Sequence, residues 1–373
     1  MKLRLTRIGT ALAAAAVLSV GVVRAQVTPA AGYTPPDDTP KINVGITLFA
    51  NYSYQDTPKV ADASPAKTCI NPNSFDVTRA YINVTGSLSH WFSFRITPDI
   101  TRETGTGSSL SGSQTFRIKY GYGQVNFDDF APRGSWFRFG LQQTPWIDYI
   151  EGVYRYRFQG ATFTDVEGFL TSSDYGASGR FVFPENYGDV HLGVYNGDGY
   201  TATNDQRAFN NQKAFQVRAS FRPAPSVPVF KGLRLTGYYD SDHYFADAKH
   251  ERFIGNVTFE HPYVNAGFEY LDAKDQTTAT VTELDRNGFS AWATPRTPIG
   301  IEALLRYDEL NTNKNMSPKP KKKRTVVGLA YWPPLQGGKS VAFLVDYSEV
   351  KFDNTTPDPG KTKIYALHTL FNF

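Results

Sequence analysis

The closing stretch of the chain, Lys363 to Phe373, reads K-I-Y-A-L-H-T-L-F-N-F. Tyr365, Leu367, Phe371 and Phe373 fall on one parity with Thr369 between them, and Ile364, Ala366, His368, Leu370 and Asn372 fall on the other. Period two belongs to a β-strand. A strand this apolar at the open edge of a soluble sheet invites edge-to-edge aggregation. It is stable if it pairs with another strand and closes a cylinder whose outer face meets lipid, because closure leaves no unpaired backbone. The expected partner is the first alternating stretch, Ile42 to Tyr52, with Ile42, Val44, Ile46, Leu48, Ala50 and Tyr52 on one face and Asn43, Gly45, Thr47 and Asn51 on the other.

The same alternation fills the interval. Ala80, Ile82, Val84 and Leu88 stand opposite Arg79, Tyr81, Asn83 and Thr85; Phe92, Phe94, Ile96 and Ile100 stand opposite Ser93, Arg95, Thr97 and Asp99. Only Ser89-His90 separates these two runs, and His261-Pro262 joins two others, which makes each pair a tight hairpin. Long Gly/Ser/Asn-rich loops alternate with the short turns. We count 16 strands. An even number places both ends on one side, with short turns there and long loops opposite. A soluble barrel would bury one strand face dry, whereas the second face here repeatedly carries Arg, Asp, Glu, Asn and Thr. The expected fold is all-β: a 16-stranded antiparallel transmembrane β-barrel of the outer-membrane porin type, wide enough for an aqueous channel. The Gly-rich strand near Ile118 to Phe127 has no readable faces.

Residues 1–25 read as a cleaved signal peptide: Lys2, Arg4 and Arg7, then the apolar run Ile8 to Val23, then Val23-Arg24-Ala25 before Gln26. Residues 26–40 form a lead-in, Pro-rich from Ala31, and 41–373 the barrel. The leader holds four of the 39 Lys and Arg and none of the 35 Asp and Glu, so the exported chain balances at 35 against 35. The basic pI therefore describes the precursor and gives no support for a nucleic-acid partner. Aromatic residues make up 14% while mean hydropathy is −0.39, a combination that suits half-wet strands with aromatic girdles. The one cysteine, Cys69, excludes a disulfide framework and is read as a loop residue.

No catalytic or metal chemistry is expected. The six histidines fall mostly at turns and loops without an H-x-x-x-H or Cys/His pattern, and no G-x-S-x-G or P-loop occurs. No cofactor is called for. Selectivity in such a channel comes from charges lining the lumen. The inward-parity bases are Arg79, Arg95, Arg138, Arg180, Arg218, Arg222, Arg234, Arg252 and Arg306, with Arg218 and Arg222 on one strand face and Arg234 on the next strand. Guanidinium groups offer two parallel bonds to an oxyanion, so one reading is a basic ladder for anions. The other is a mixed-charge general pore, because Asp99, Asp240, Glu260, Glu269, Glu302, Asp308 and Asp346 also point inward. The run Lys319, Lys321, Lys322, Lys323, Arg324 reads as an extracellular loop, either solvated or in contact with anionic lipopolysaccharide. A structural or adhesive barrel with a plugged lumen is a third possibility.

Several stretches resemble the phosphate-selective porin family, the O and P porins. They are Thr78 to Ile96 (T-R-A-Y-I-N-V-T-G-S-L-S-H-W-F-S-F-R-I), Phe139 to Trp146 (F-G-L-Q-Q-T-P-W), Gly193 to Tyr200 (G-V-Y-N-G-D-G-Y) and Val327 to Pro334 (V-G-L-A-Y-W-P-P). The final Phe373 is similar to an outer-membrane assembly signal. The resemblance implies a homotrimeric diffusion channel in the bacterial outer membrane, passing small inorganic anions or other small hydrophilic solutes. The family also includes general porins, so it does not by itself assign phosphate. It further implies that Thr144 to Ser172 folds into the lumen as a constriction loop carrying Asp148, Glu151, Tyr154, Arg155 and Arg157, with Arg155 and Arg157 charging the eyelet. Otherwise this segment is an outer loop resting on the rim.

Overall fold

The computed structural model describes residues 38–62, 68–105, 107–197, 199–201, 212–243, 247–335 and 337–373. The leader 1–25 and most of the lead-in lie outside the described residues. In chain order the barrel strands are β1 Lys41–Thr57, β2 Asn73–Ser87, β3 Phe92–Arg102, β4 Gln114–Asn126, β5 Trp136–Gln143, β6 Ser173–Val182, β7 Gly188–Tyr195 and β8 Ala214–Phe221. They continue with β9 Leu233–His243, β10 Lys249–His261, β11 Val264–Asp275, β12 Leu284–Pro295, β13 Ile301–Asn311, β14 Lys321–Tyr331, β15 Ser340–Asp353 and β16 Thr362–Asn372.

Each strand pairs antiparallel with the next, and β16 pairs with β1 to close the cylinder. Thr47 stands opposite Asn372 and Leu48 opposite Phe371. The Phe373 amide donates to the Ile46 carbonyl at 3.0 Å, and the Ile46 amide donates to the Phe373 carbonyl at 2.8 Å. The apolar last strand therefore has a hydrogen-bonded partner on both sides and no open edge. Outward residues such as Phe116, Phe139, Leu329 and Val345 are exposed, as a lipid-facing surface requires. A small ribbon, Val60–Ala61 against Cys69–Ile70, decorates the first long loop.

The core of the molecule lies inside the barrel, where 144–172 folds inward and brings two helices, α1 Pro145–Val153 and α2 Phe163–Val166. Pro145 suits the first turn of α1, whose N-cap is Thr144. Trp146, Ile147, Ile150 and Val153 form a buried stripe against the inner wall, while Asp148 and Glu151, three apart, share the opposite face. Trp146, Ile150, Tyr154, Tyr156, Phe158 and Phe163 join one apolar cluster with Tyr238, Ile254, Leu271, Trp292, Leu304, Ala342 and Leu344 of the wall. This explains why the inward face of β15 is less polar than most: it is covered by the loop. Gly288 leaves room for it. A Cβ there would fall 2.9 Å from the Phe163 ring and 2.4 Å from the Glu309 carbonyl oxygen.

Candidate functional site: the constriction

The loop crosses the inner wall strand by strand. The Trp146 indole donates to Thr164 at 3.0 Å, and the Tyr149 hydroxyl sits 3.0 Å from Thr258 and accepts from Thr236 at 2.9 Å. Asn265 donates to the Val153 carbonyl, and Tyr154 packs on Trp292. The Tyr156 hydroxyl donates to Glu302 at 3.0 Å and accepts from the Trp332 indole at 3.2 Å. Burial pushes that hydroxyl above its ordinary range. Phe158 reaches across to Phe49 of β1. On the way back the Ala161 carbonyl accepts from Arg306 at 2.8 Å, and Glu167 pairs with Lys322 at 2.8 Å and Arg324 at 3.4 Å. The inward fold of this segment thus covers the wall from β8, where Arg218 donates to the Pro145 carbonyl at 3.1 Å, around to β1, and Tyr81 of β2 joins the same buried cluster.

On the wall of β2–β5 the half-buried Arg79, Arg95, Arg117 and Arg138 and the buried Lys119 are interleaved with Tyr81, Tyr120, Tyr122 and Trp136. Asp99 serves Arg79 at 2.7 Å and Arg117 at 3.0 Å. Arg95, Lys119 and Arg138 make no ion pair among the described residues. Neutral acceptors hold them instead. Arg95 donates to Asn83 at 2.7 Å and Thr97 at 2.9 Å, and Arg138 donates to Gln124 at 2.6 Å and Gln143 at 3.1 Å. Lys119 donates to the Tyr81 hydroxyl at 3.2 Å. Aromatic faces complete the support: Arg95 lies 4.5 Å over Tyr120, and Arg138 lies 3.7 Å over Trp136 and 4.7 Å over Tyr122. Such partners fix a guanidinium without cancelling its charge.

Across the opening stands the polar face of α1. Asp148 is exposed there and lies in the electrostatic reach of Arg138, Arg218, Arg95 and Arg180. Glu151 is the leading opposite charge felt by Lys119. The loop's own arginines are occupied, contrary to the expectation that they charge the eyelet. Arg155 pairs with Glu302 at 3.2 Å and lies 4.3 Å over Trp332. Arg157 donates to Glu151 at 2.6 Å and pairs with Asp165 at 3.4 Å. Burial alone would weaken the proton affinity of Arg157, but Glu151, Tyr81 and Asp165 more than restore it. Tyr154, 1% exposed, is a wall anchor and does not face the opening.

The remaining predicted arginines are largely neutralised. Arg180 pairs with Asp189 at 2.8 Å, and Arg218 is bound to the same carboxylate. Arg234 pairs with Glu260 at 2.5 Å. Arg252 bonds Asp275 at 2.5 Å and Arg306 bonds Asp308 at 2.7 Å, both covered by the loop. Their inward parity is as read; Arg180, whose side chain is 38% exposed, lines with Arg218 and Arg234 a polar cavity of about 210 Å³ beside Asp148, whereas the loop closes over Arg252 and Arg306. Arg222 is a second correction. β8 ends at Phe221, and Arg222 begins the following turn, donating to the Lys231 carbonyl. A third concerns the basic run. Lys321 to Arg324 open strand β14, where Lys322 and Arg324 hold Glu167 inside while Lys321 reaches Glu309 and Lys323 reaches Asp353.

Arg117, Lys119 and Tyr120 escape a reading by parity. The register between β3 and β4 shifts at Thr97/Pro98, so that Pro98 faces Ile118 and Thr97 faces Tyr120, and Lys119 is the extra residue. Pro98 was the available signal, since proline inside a strand marks an edge or a bulge.

No family model matches the chain, and no curated protein matches it. Solved structures do. OmpT of Vibrio cholerae, an outer membrane protein, aligns with a TM-score of 0.60 and 11% identity over 90% of this chain and 98% of that one. OmpF of Salmonella typhi, solved with daunomycin, gives 0.57 and 11% over 90% and 98%. The outer membrane channel DcaP of Acinetobacter baumannii gives 0.56 and 11% over 90% and 97%. At this identity the likeness is one of fold: the chain forms a closed 16-stranded antiparallel barrel of the outer-membrane porin type.

Proposed function

We propose that this chain is a porin of the bacterial outer membrane, a water-filled channel for passive diffusion of small hydrophilic solutes that prefers anions. The observation that carries the preference is the wall of β2–β5, where Asp99 pairs with Arg79 and Arg117 while Arg95, Lys119 and Arg138 make no ion pair among the described residues. A permeating anion trades part of its hydration for Arg95 and Arg138, whose charges are supported by neutral partners. Asp148 and Glu151 on the facing helix set up a field across the opening and temper the preference. Phosphate-type oxyanions suit the guanidinium forks, but the paired state of Arg180, Arg218, Arg234, Arg252 and Arg306 removes most of the extended ladder and favours a broad solute range. Export through the leader and assembly as a homotrimer, amid outer-membrane lipid and lipopolysaccharide, complete the proposal. One of the similar solved structures is a trimer form of OmpT.

The test is single-channel recording of the purified protein in a planar bilayer under a KCl gradient. Stable ohmic steps with an anion-side reversal potential support the reading. An ohmic, unselective current would leave a general porin. Absence of steps would point to a structural barrel.

A further inference from the structure

Behind the returning limb of the constriction loop, Gly168 to Thr171, lies a cavity of about 90 Å³ near the loop-side ends of the strands. Three strands bring acceptors to it, Asp174 of β6, Gln216 of β8, and Asp240 and Asp242 of β9, with His250 of β10 beside them. The register places Gln216 opposite Asp240 and Asp242 opposite His250. Asp174 is oriented by the amides of Gly197 and Tyr175, each at 2.7 Å. The Asp242 carboxylate lies so close to Gly197 that a Cβ there would fall 2.4 Å from its oxygen, and His250 Nδ1 stands 3.4 Å from it.

Two acceptors in this wall are unanswered. Asp240 is 2% exposed and its Oδ1 has no hydrogen-bond partner; Gln216, 6% exposed, has none at Oε1. An acceptor buried without a donor is costly, most of all when charged. The nearby Arg252 guanidinium does not supply one, being engaged by Asp275 and by the carbonyls of Phe169, Glu251 and Lys274. Among the described residues no group of three His, Cys, Asp or Glu is arranged to hold a metal ion. The chemistry that does match is a compact cation with several N–H donors at ordinary hydrogen-bond length.

We propose that this pocket binds the primary ammonium group of a small solute at the outer mouth of the channel. An ammonium head has three donors and no acceptor. Asp240 Oδ1 and Gln216 Oε1 take two of them, and the carboxylate of Asp242 or Asp174 takes the third. Phe169 and Leu170, which also line the cavity, receive the adjoining methylenes. The volume equals about three waters at roughly 30 Å³ each, room for a head and a short alkyl stub. The site is separate from the basic wall of β2–β5, so it stands or falls independently of anion preference.

The probe is ethylammonium chloride, titrated into the full-length protein in detergent by calorimetry at constant ionic strength. Saturable binding is expected, weakened at least tenfold by Asp240→Asn and severalfold by Gln216→Leu, with choline, which has no N–H, failing to compete. Heat-modifiable migration on gels checks that each variant is folded, and Gln216→Leu carries the test if Asp240→Asn is not. The proposal is overturned by absence of saturable binding to the wild type, by binding unchanged in a folded variant, or by displacement of ethylammonium by equimolar Mg²⁺.

Discussion

Replacing Trp146 by alanine probes whether the lumen loop is held by its own apolar stripe. Trp146 is 0% exposed; its indole donates to Thr164, and its ring lies 5.7 Å from Tyr149 and 5.8 Å from Tyr238. Truncating a buried tryptophan costs about 3–5 kcal/mol. Trp146 belongs to α1 and makes no ladder hydrogen bond, so the cost falls on docking of the loop rather than on the barrel. Even about 3 kcal/mol multiplies the undocked fraction by roughly 150. Trypsin reads this directly, because Arg155 and Arg157 lie in the loop and are both pinned while it is docked. Where opening equilibrates faster than cleavage, the initial rate follows the open population. Cleavage mapped to those two sites should accelerate on the order of a hundredfold, with a noisier open-channel current and an unchanged heat-modifiable barrel. Wild-type cleavage rates and a quiet current in a folded variant would refute the reasoning.

Cys69 is exposed in the first long loop, so a membrane-impermeant maleimide should label it on intact cells; protection until the outer membrane is broken would reverse the proposed orientation. Glu167→Gln removes the shared partner of Lys322 and Arg324 and should move the reversal potential toward anions in the bilayer, without changing folding. Gly288→Ala puts a methyl against Phe163 and the Glu309 carbonyl; overpacking of about 1–3 kcal/mol should raise loop cleavage by trypsin, though less than Trp146→Ala.

The barrel was legible in the sequence because lipid on one side and water on the other write the same period-two code into most of the strands. Closure of β16 on β1 followed from the apolar character of Lys363 to Phe373 alone. The long segment was legible from its length and its inward fold from the family resemblance, but its helices were not, because α1 is stabilised by the wall it meets. Charge state was the least legible feature. Whether Arg218 is neutralised depends on Asp189 standing two strand positions away across the sheet, and Arg252 depends on Asp275 in the same way. Inward parity reports none of this. Arg155 and Arg157 looked like the eyelet's charges, yet Glu302, Glu151 and Asp165 claim them, leaving Asp148 exposed on the loop's face. Lys119 and Tyr120 lie in the Gly-rich strand whose faces could not be read, and the shift at Pro98 adds a residue there that breaks simple parity.

The most direct test of the proposed anion preference compares wild type with the double variant Arg95→Gln/Arg138→Gln in one bilayer experiment, reading reversal potential under a fixed KCl gradient. Both side chains rest on neutral acceptors and aromatic faces, so their removal breaks no ion pair among the described residues. The basic wall predicts an anion-side potential in the wild type that shifts toward zero or changes sign in the variant, at similar or larger conductance. A variant with the wild-type potential would place the selectivity elsewhere and contradict this reading of the constriction.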